Sequence, residues 1–283
     1  MLPVSSPRRV AGRAVKVAAA TVDRVHAPAA GVVVLLYHRV GRRSTSEVDL
    51  DAAVFEEQME FLAGATDVVP LERALDALAG ADPGSEPGPI ARPPTVCVTF
   101  DDGTDDFVDV AAPILVRHGI PVTLYLATAF VDEGTGFGEG VRAASWSGLA
   151  DACATGFVDI GSHTHHHRLL DRLPPEELAG ELDRSIGLIG DRLGRSAADF
   201  AYPKAVFGSA AADAAIRARF RSAAVAGTRA NVYGRTDPYR LARSPIQVGD
   251  EMTFFRRKVA GGMRFEDTMR QAANRIRYAG MRS

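Results

Sequence analysis

TVCVTFDDG (residues 95–103) sets an apolar, β-branched run directly against two adjacent carboxylates. Val96, Val98 and Phe100 are joined by Cys97 and Thr99 without a clean polar alternation, the pattern of a strand buried on both faces in a parallel sheet. Asp101 and Asp102 then stand at the strand's carboxyl end. Two neighbouring carboxylates repel unless a cation or hydrogen bonds offset the charge. A plainer role is also open, because Asp102 stands where it could cap a helix beginning near Asp105.

Working outward, strand-like and helix-like segments alternate along most of the chain. GVVVLLYHRV (31–40), VVPL (68–71), PVTLYLAT (121–128), FVDIGSHT (157–164), ADFAYP (198–203), 222–226 and RLARSPI (240–246) read as strands. Helical spacing appears over 51–63, 71–80, 105–118, 146–155, 174–193 and 208–219. Such alternation predicts an α/β domain built on a parallel sheet or barrel, in which all strand carboxyl ends share one rim. ADPGSEPGPIARPP (81–94) is a proline- and glycine-rich connection within that domain. GTGFGEG (134–140) lacks the strand-to-helix setting and the lysine of a phosphate-binding loop, and is read as a rim loop.

Composition narrows the function classes. At 283 residues and 46% apolar content the chain can bury one α/β core. A formal net charge of −2 argues against nucleic-acid binding. Lys16, Lys204 and Lys258 are the only lysines, so arginine carries almost all the positive charge. Cys97 and Cys153 fall in apolar runs and imply no disulfide framework. No stretch approaches the ~20 apolar residues of a membrane-spanning helix. Residues 1–30 form a basic arm whose apolar part is broken by Arg13, Lys16 and Asp23, unlike a cleavable leader. Arg8–Val25 is read as a peripheral helix, with peripheral contact to an anionic membrane as the alternative. The expected compartment is the cytoplasm.

GSHTHHHRLL (161–170) holds four of the seven histidines, directly after a strand. His163 and His167 are four residues apart, a spacing that turns two imidazoles toward one point on a helical turn. With Asp102 they make a two-nitrogen, one-oxygen set that leaves a coordination position open, suited to zinc, with cobalt or nickel as alternatives. His165 and His166 are left over, and one of them is expected to face solvent.

TFDDG followed in order by SHTHHH resembles the polysaccharide deacetylases of the NodB-homology type, carbohydrate esterase family 4. FAYPK (200–204) and the segment WSGLADACATGFVDIGSHT are similar to further parts of that family, and the likeness runs over about residues 31–250. The resemblance implies a distorted (β/α) barrel of about seven parallel strands. It implies Asp101 as general base, and Asp102, His163 and His167 as ligands of a divalent metal. It implies an oxyanion contact from the backbone N–H of Lys204, beside Tyr202 and Pro203. Thr164 belongs to the same motif and is expected to order its loop.

Two departures stand out. Ala201 occupies the position where relatives carry an arginine that tunes the catalytic aspartate, and no histidine follows His167 to serve as general acid. YHRV at the end of the first strand resembles a branch related to poly-N-acetylglucosamine deacetylases, where the first strand supplies that histidine. In a closed barrel the first and last strands are neighbours, so His38 is the expected acid. Arg243 is the expected replacement for the missing arginine, with Arg240 close behind. Trp146 and Phe137 are candidates to line a sugar groove, although Trp146 could equally anchor its helix.

The expectation is therefore a hydrolase in which metal-activated water removes N-acetyl groups from amino sugars of a poly- or oligosaccharide. O-deacetylation, or attack on another small amide, stays open beside it, as does a non-catalytic relative that retains the metal. The catalytic domain is expected over 31–255, with a basic helical extension over 256–283, in a monomer.

Overall fold

A computed structural model describes residues 7–23, 27–80, 93–138 and 140–278. Most of the connection read over 81–94 lies outside these residues, as do Glu139 of the rim loop and the outermost parts of both terminal segments.

Seven parallel strands close a barrel. They are β1 (Gly31–Tyr37), β2 (Thr95–Phe100), β3 (Val122–Leu126), β4 (Val158–Ser162), β5 (Asp199–Ala201), β6 (Ser222–Ala226) and β7 (Leu241–Pro245). Their order around the barrel is their order in the chain. β1 completes the ring, with Tyr37 opposite Phe100 of β2 and Leu36 opposite Pro245 of β7. Closure removes the two exposed edges that an open sheet would leave. Asn231–Val232 adds an antiparallel pair at the start of β1, and Asp67–Val68 a parallel one at the start of β2. The strand expected over 68–71 is thus confined to its first residue, because Pro70 has no N–H for a ladder and its carbonyl instead starts the helix that follows.

Ten helices surround the ring among the described residues. They are α1 (Pro7–Val22), α2 (Ala52–Ala65), α3 (Leu71–Gly80), α4 (Ala112–Arg117), α5 (Thr128–Glu133), α6 (Trp146–Ala154), α7 (Pro175–Leu193), α8 (Ala210–Arg217), α9 (Glu251–Val259) and α10 (Arg264–Tyr278). Their ends follow local chemistry. Asp51 caps α2 by accepting the Ala53 N–H, and α7 opens on Pro175 with Glu176 and Glu177 in its first turn. Gly194, with φ of 62°, closes α7 in the left-handed region that favours glycine.

The core beneath the rim formed by the strand carboxyl ends is aromatic. Tyr37, Phe55, Phe100 and Phe107 are fully buried with successive ring centroids 5.1–5.7 Å apart. Burial of each ring contributes about 1.5–3 kcal/mol, and together they fix α2 against the ends of β1 and β2. Gly161 in β4 is required by space: a Cβ there would sit 2.5 Å from the Tyr125 ring and 2.8 Å from the Asp199 carbonyl oxygen. Cys97 and Cys153 are buried and free, as their apolar settings imply.

The terminal helices pack on one another. Lys16 of α1 is turned inward, its Nζ 2.5 Å from Asp250 Oδ1 and 2.6 Å from Glu266 Oε1. Lys258 of α9 reaches Asp250 Oδ2 at 2.9 Å and the carbonyl of Pro245, the last residue of β7, at 2.7 Å. Two of the three lysines therefore lie in one buried charge cluster that ties α1 to the barrel's closing strand. Ala19 and Ala20 pack against Phe254 and Met263 beside it. The helix expected to be peripheral is docked over its second half. The expected boundary between 255 and 256 falls inside α9, whose Phe255 and Val259 belong to the main core. No helix among the described residues is long and apolar enough to cross a membrane.

Candidate metal centre

β2 ends at Phe100, and the Asp101 N–H donates to the Tyr37 carbonyl at 3.1 Å, carrying the β1 pairing one residue past the strand. His38, next after Tyr37, therefore stands level with Asp101 on the neighbouring strand. Asp102 adopts φ of 78°, a left-handed conformation that costs a non-glycine residue about 1–3 kcal/mol. It caps no helix. The following helix begins further on and passes through a π-helical stretch at Phe107–Ala111, a local widening often found beside functional sites.

β4 ends at Ser162, and His163 to His167 follow in a turn that is not helical. Thr164 and His167 have φ of 68° and 57°. The imidazoles converge because this strained turn folds back, not because of helical spacing as the sequence reading supposed. Side-chain oxygens hold the turn: Ser162 Oγ accepts the Thr164 N–H at 3.3 Å, and Thr164 Oγ1 accepts the His167 N–H at 3.0 Å.

Asp102, His163 and His167 come together with one ligand atom from each lying within 4.8 Å of the others. Asp102 Oδ1 is 3.9 Å from His163 Nε2 and 3.7 Å from His167 Nε2. His163 Nδ1 donates to the Ala201 carbonyl at 2.8 Å, so the lone pair of the neutral ring is on Nε2, facing the carboxylates. Burial pulls both imidazoles down to about 4, against the raising effect of the Asp101 charge, so both are neutral and able to ligate near pH 7. Two imidazole nitrogens, one carboxylate and an open side fit a first-row divalent ion such as zinc, cobalt or nickel.

Asp101 is handled differently. Burial alone would raise its carboxyl, but Arg243 binds it through two hydrogen bonds of 2.6 and 2.7 Å and, with the neighbouring imidazoles, holds it at about 2. Arg243 is itself 1% exposed, reaches Thr99 Oγ1 at 3.3 Å and lies over the Tyr125 ring. It comes from β7, two strands around the barrel from β5, where Ala201 lies. Arg240 is occupied elsewhere, pairing with Asp213 and covering Phe207. His38 Nδ1 is buried without a hydrogen-bond partner, and the ring lies close enough to lower Asp101 electrostatically.

The remaining expected residues are spread more widely. Tyr202 is buried with its hydroxyl directed at Asp213, and Pro203 is buried beside it. Lys204 has φ of 55° and acts electrostatically on His167. Trp146 donates through Nε1 to Asp132 at 3.2 Å and packs on the main core, joining α6 to α5. Phe137 stacks on Phe130 at 4.1 Å. His165 is buried against Thr128, and His166, half exposed, donates through Nδ1 to Glu181 at 2.6 Å. Sequence reasoning missed Glu181, although a signal existed: it interrupts the buried stripe Leu178, Leu182, Ile189 of α7 with a carboxylate.

Residues 89–223 match the family described as polysaccharide deacetylase. Among solved structures the chain is similar to IcaB from Ammonifex degensii, at 26% identity and a TM-score of 0.69 over 82% of this chain and 98% of that one. It is similar in fold to the Streptococcus pyogenes deacetylase PplD in complex with acetate, at 17% identity, a TM-score of 0.69, and 82% and 99% coverage. A de-N-acetylase from Aggregatibacter actinomycetemcomitans shares the fold at 18% identity and a TM-score of 0.65, with 80% and 99% covered. No curated protein sequence matches the chain.

Proposed function

From the match of residues 89–223 to the polysaccharide deacetylase family, we propose that the chain is a metal-dependent hydrolase of N-acetyl groups on amino sugars of a poly- or oligosaccharide. One observation carries the reading. A two-imidazole, one-carboxylate donor set lies beside a second carboxylate, Asp101, that a buried arginine keeps charged and oriented.

Asp102, His163 and His167 would hold the cation, zinc with cobalt or nickel as alternatives. When bound, it supplies Lewis acidity to the acetyl carbonyl and to water. Asp101 serves as general base, because a carboxylate fixed by two Arg243 hydrogen bonds offers its free lone pairs in one direction. His38 donates a proton to the departing amine, its Nδ1 being uncommitted to any structural contact. The Lys204 N–H provides a donor to the developing oxyanion. Tyr202, Pro203 and Thr164 are buried and support the sugar site from beneath, while Trp146, partly exposed at the start of α6, is the aromatic side chain that meets the sugar.

Retention of Asp101 with its arginine disfavours a metal-keeping, non-catalytic relative, since ligation alone needs neither group. The catalytic unit is assigned to 31–255, with the rest of α9 as far as Val259 packed on the same core, flanked by the arm (1–30) and the helical extension (256–283). It is read as a cytoplasmic monomer whose α1, with Val17 and Val22 exposed, offers the surface for any peripheral membrane contact. The deciding experiment measures acetate released from N-acetylglucosamine oligomers and from acetylated xylan, before and after chelation and after zinc or cobalt is returned. Chelator-sensitive release from the amino sugar supports the reading. A folded, metal-loaded protein inert on it overturns the reading.

A further inference from the structure

We propose that Glu181 of α7 is a positioning residue for His167 and thereby sets the affinity of the centre for its cation. The inference rests on the metal-centre reading above.

Glu181 is 4% exposed. Its Oε2 accepts the backbone N–H of His166, the residue immediately before His167, at 2.8 Å, and its Oε1 accepts the His166 Nδ1–H at 2.6 Å. Ser185 stands one helical turn further along the same face, fully buried, with its Oγ 2.8 Å from Ser162 Oγ. Ser162 in turn accepts the Thr164 N–H, and Thr164 Oγ1 accepts the His167 N–H. Two polar contacts thus run from an otherwise apolar helix face to the histidine turn, one reaching it through His166 and the other through Ser162 and Thr164.

The turn needs such support. Thr164 and His167 occupy left-handed backbone conformations, which persist only where the surroundings over-determine them. A carboxylate buried in an apolar stripe is costly unless hydrogen bonded, and here the donors come from the metal-binding turn. Interactions that orient a ligand from behind commonly change metal affinity by about 10–100-fold. The expected contribution of Glu181 is of that size, and it acts through the peptide of His166 more than through the half-exposed imidazole.

The test uses metal-free full-length protein titrated with zinc against a chromophoric chelator, and with cobalt by visible absorption, alongside thermal unfolding without metal. Glu181→Ala is expected to weaken both ions about 10–100-fold, and Glu181→Gln, which keeps an acceptor for the His166 N–H, to stay within about threefold of wild type. Leu182→Ala, its fully buried neighbour, should unfold at lower temperature yet bind within about threefold, since it loses packing and not the contact to the turn. Wild-type affinity in Glu181→Ala overturns the proposal, and so does an equal loss in Leu182→Ala. If Glu181→Ala does not fold, Glu181→Met, similar in length and without an acceptor, is judged by the same thresholds. Wild-type protein that binds neither ion overturns the metal-centre reading itself, whatever the variants do.

Discussion

Replacing Arg243 with methionine tests the electrostatic logic of the site most directly. Methionine fills a similar volume, so packing is largely kept while the two charged hydrogen bonds to Asp101 are lost. In the folded protein Asp101 is held at about 2, against about 3.9 in an unfolded chain. A folded value below the unfolded one means stability present above pH 4 and lost as pH falls from about 4 through 2. The difference of roughly two units corresponds to about 2–3 kcal/mol at pH 7. Breaking a buried pair costs more, about 3–5 kcal/mol, because the survivor is left charged and unpaired. At about 2–4 °C per kcal/mol for a chain of this size, Tm of the metal-free variant should fall by roughly 6–20 °C at pH 7. The deficit should shrink markedly at pH 3, where Asp101 in the variant is protonated and costs little to bury. His163 and His167 also destabilise the fold at low pH in both proteins; Arg243 is the smallest of the causes that lower His163, so its loss changes this part of the comparison little. Calorimetry of metal-free wild type and variant between pH 3 and 8 reads this difference. An equal deficit at pH 3 and pH 7 would show that Arg243 acts by packing alone and would refute the argument.

Three further outcomes follow from the same geometry. Alanine at Asp102, His163 or His167 should remove bound zinc, measured by elemental analysis, whereas Asp101→Asn should keep the metal and lose about 10²–10⁴-fold in acetate release. His38→Ala should cut turnover by about 10²-fold or more with metal content and Tm unchanged, because Nδ1 makes no structural hydrogen bond; equal loss of metal would reject its assigned role. Lys16→Met should destabilise the protein by about 3–5 kcal/mol and expose α1 to limited proteolysis, since it leaves Glu266 and Asp250 short of a buried cation; unchanged proteolysis would show that α1 is held by packing alone.

The parts legible without a structure are those encoded by local pattern. The strands of 95–100 and 122–126 and the helix of 175–193 read correctly because apolar runs, flanking prolines and a closing glycine act over a few residues. That Asp102, His163 and His167 could meet was legible because each stands at or just after the end of a strand-like run, and in a parallel barrel those strand ends share one rim. The short pairing at 67–68 was overestimated because Pro70 sends the chain into a helix. The histidine turn was given the wrong geometry because spacing alone does not report left-handed residues such as Thr164 and His167.

What sequence alone determined is the alternating architecture and the chemistry carried at its strand tips, since both depend on residue type and near neighbours. What only the tertiary structure decided is which distant groups meet them. Arg243 rather than Arg240 reaches Asp101, His38 stands level with Asp101, and Lys16 is turned inward onto Asp250. Those choices depend on barrel closure and register, which join β1 to β7 across more than two hundred residues of chain and leave no local trace in either segment.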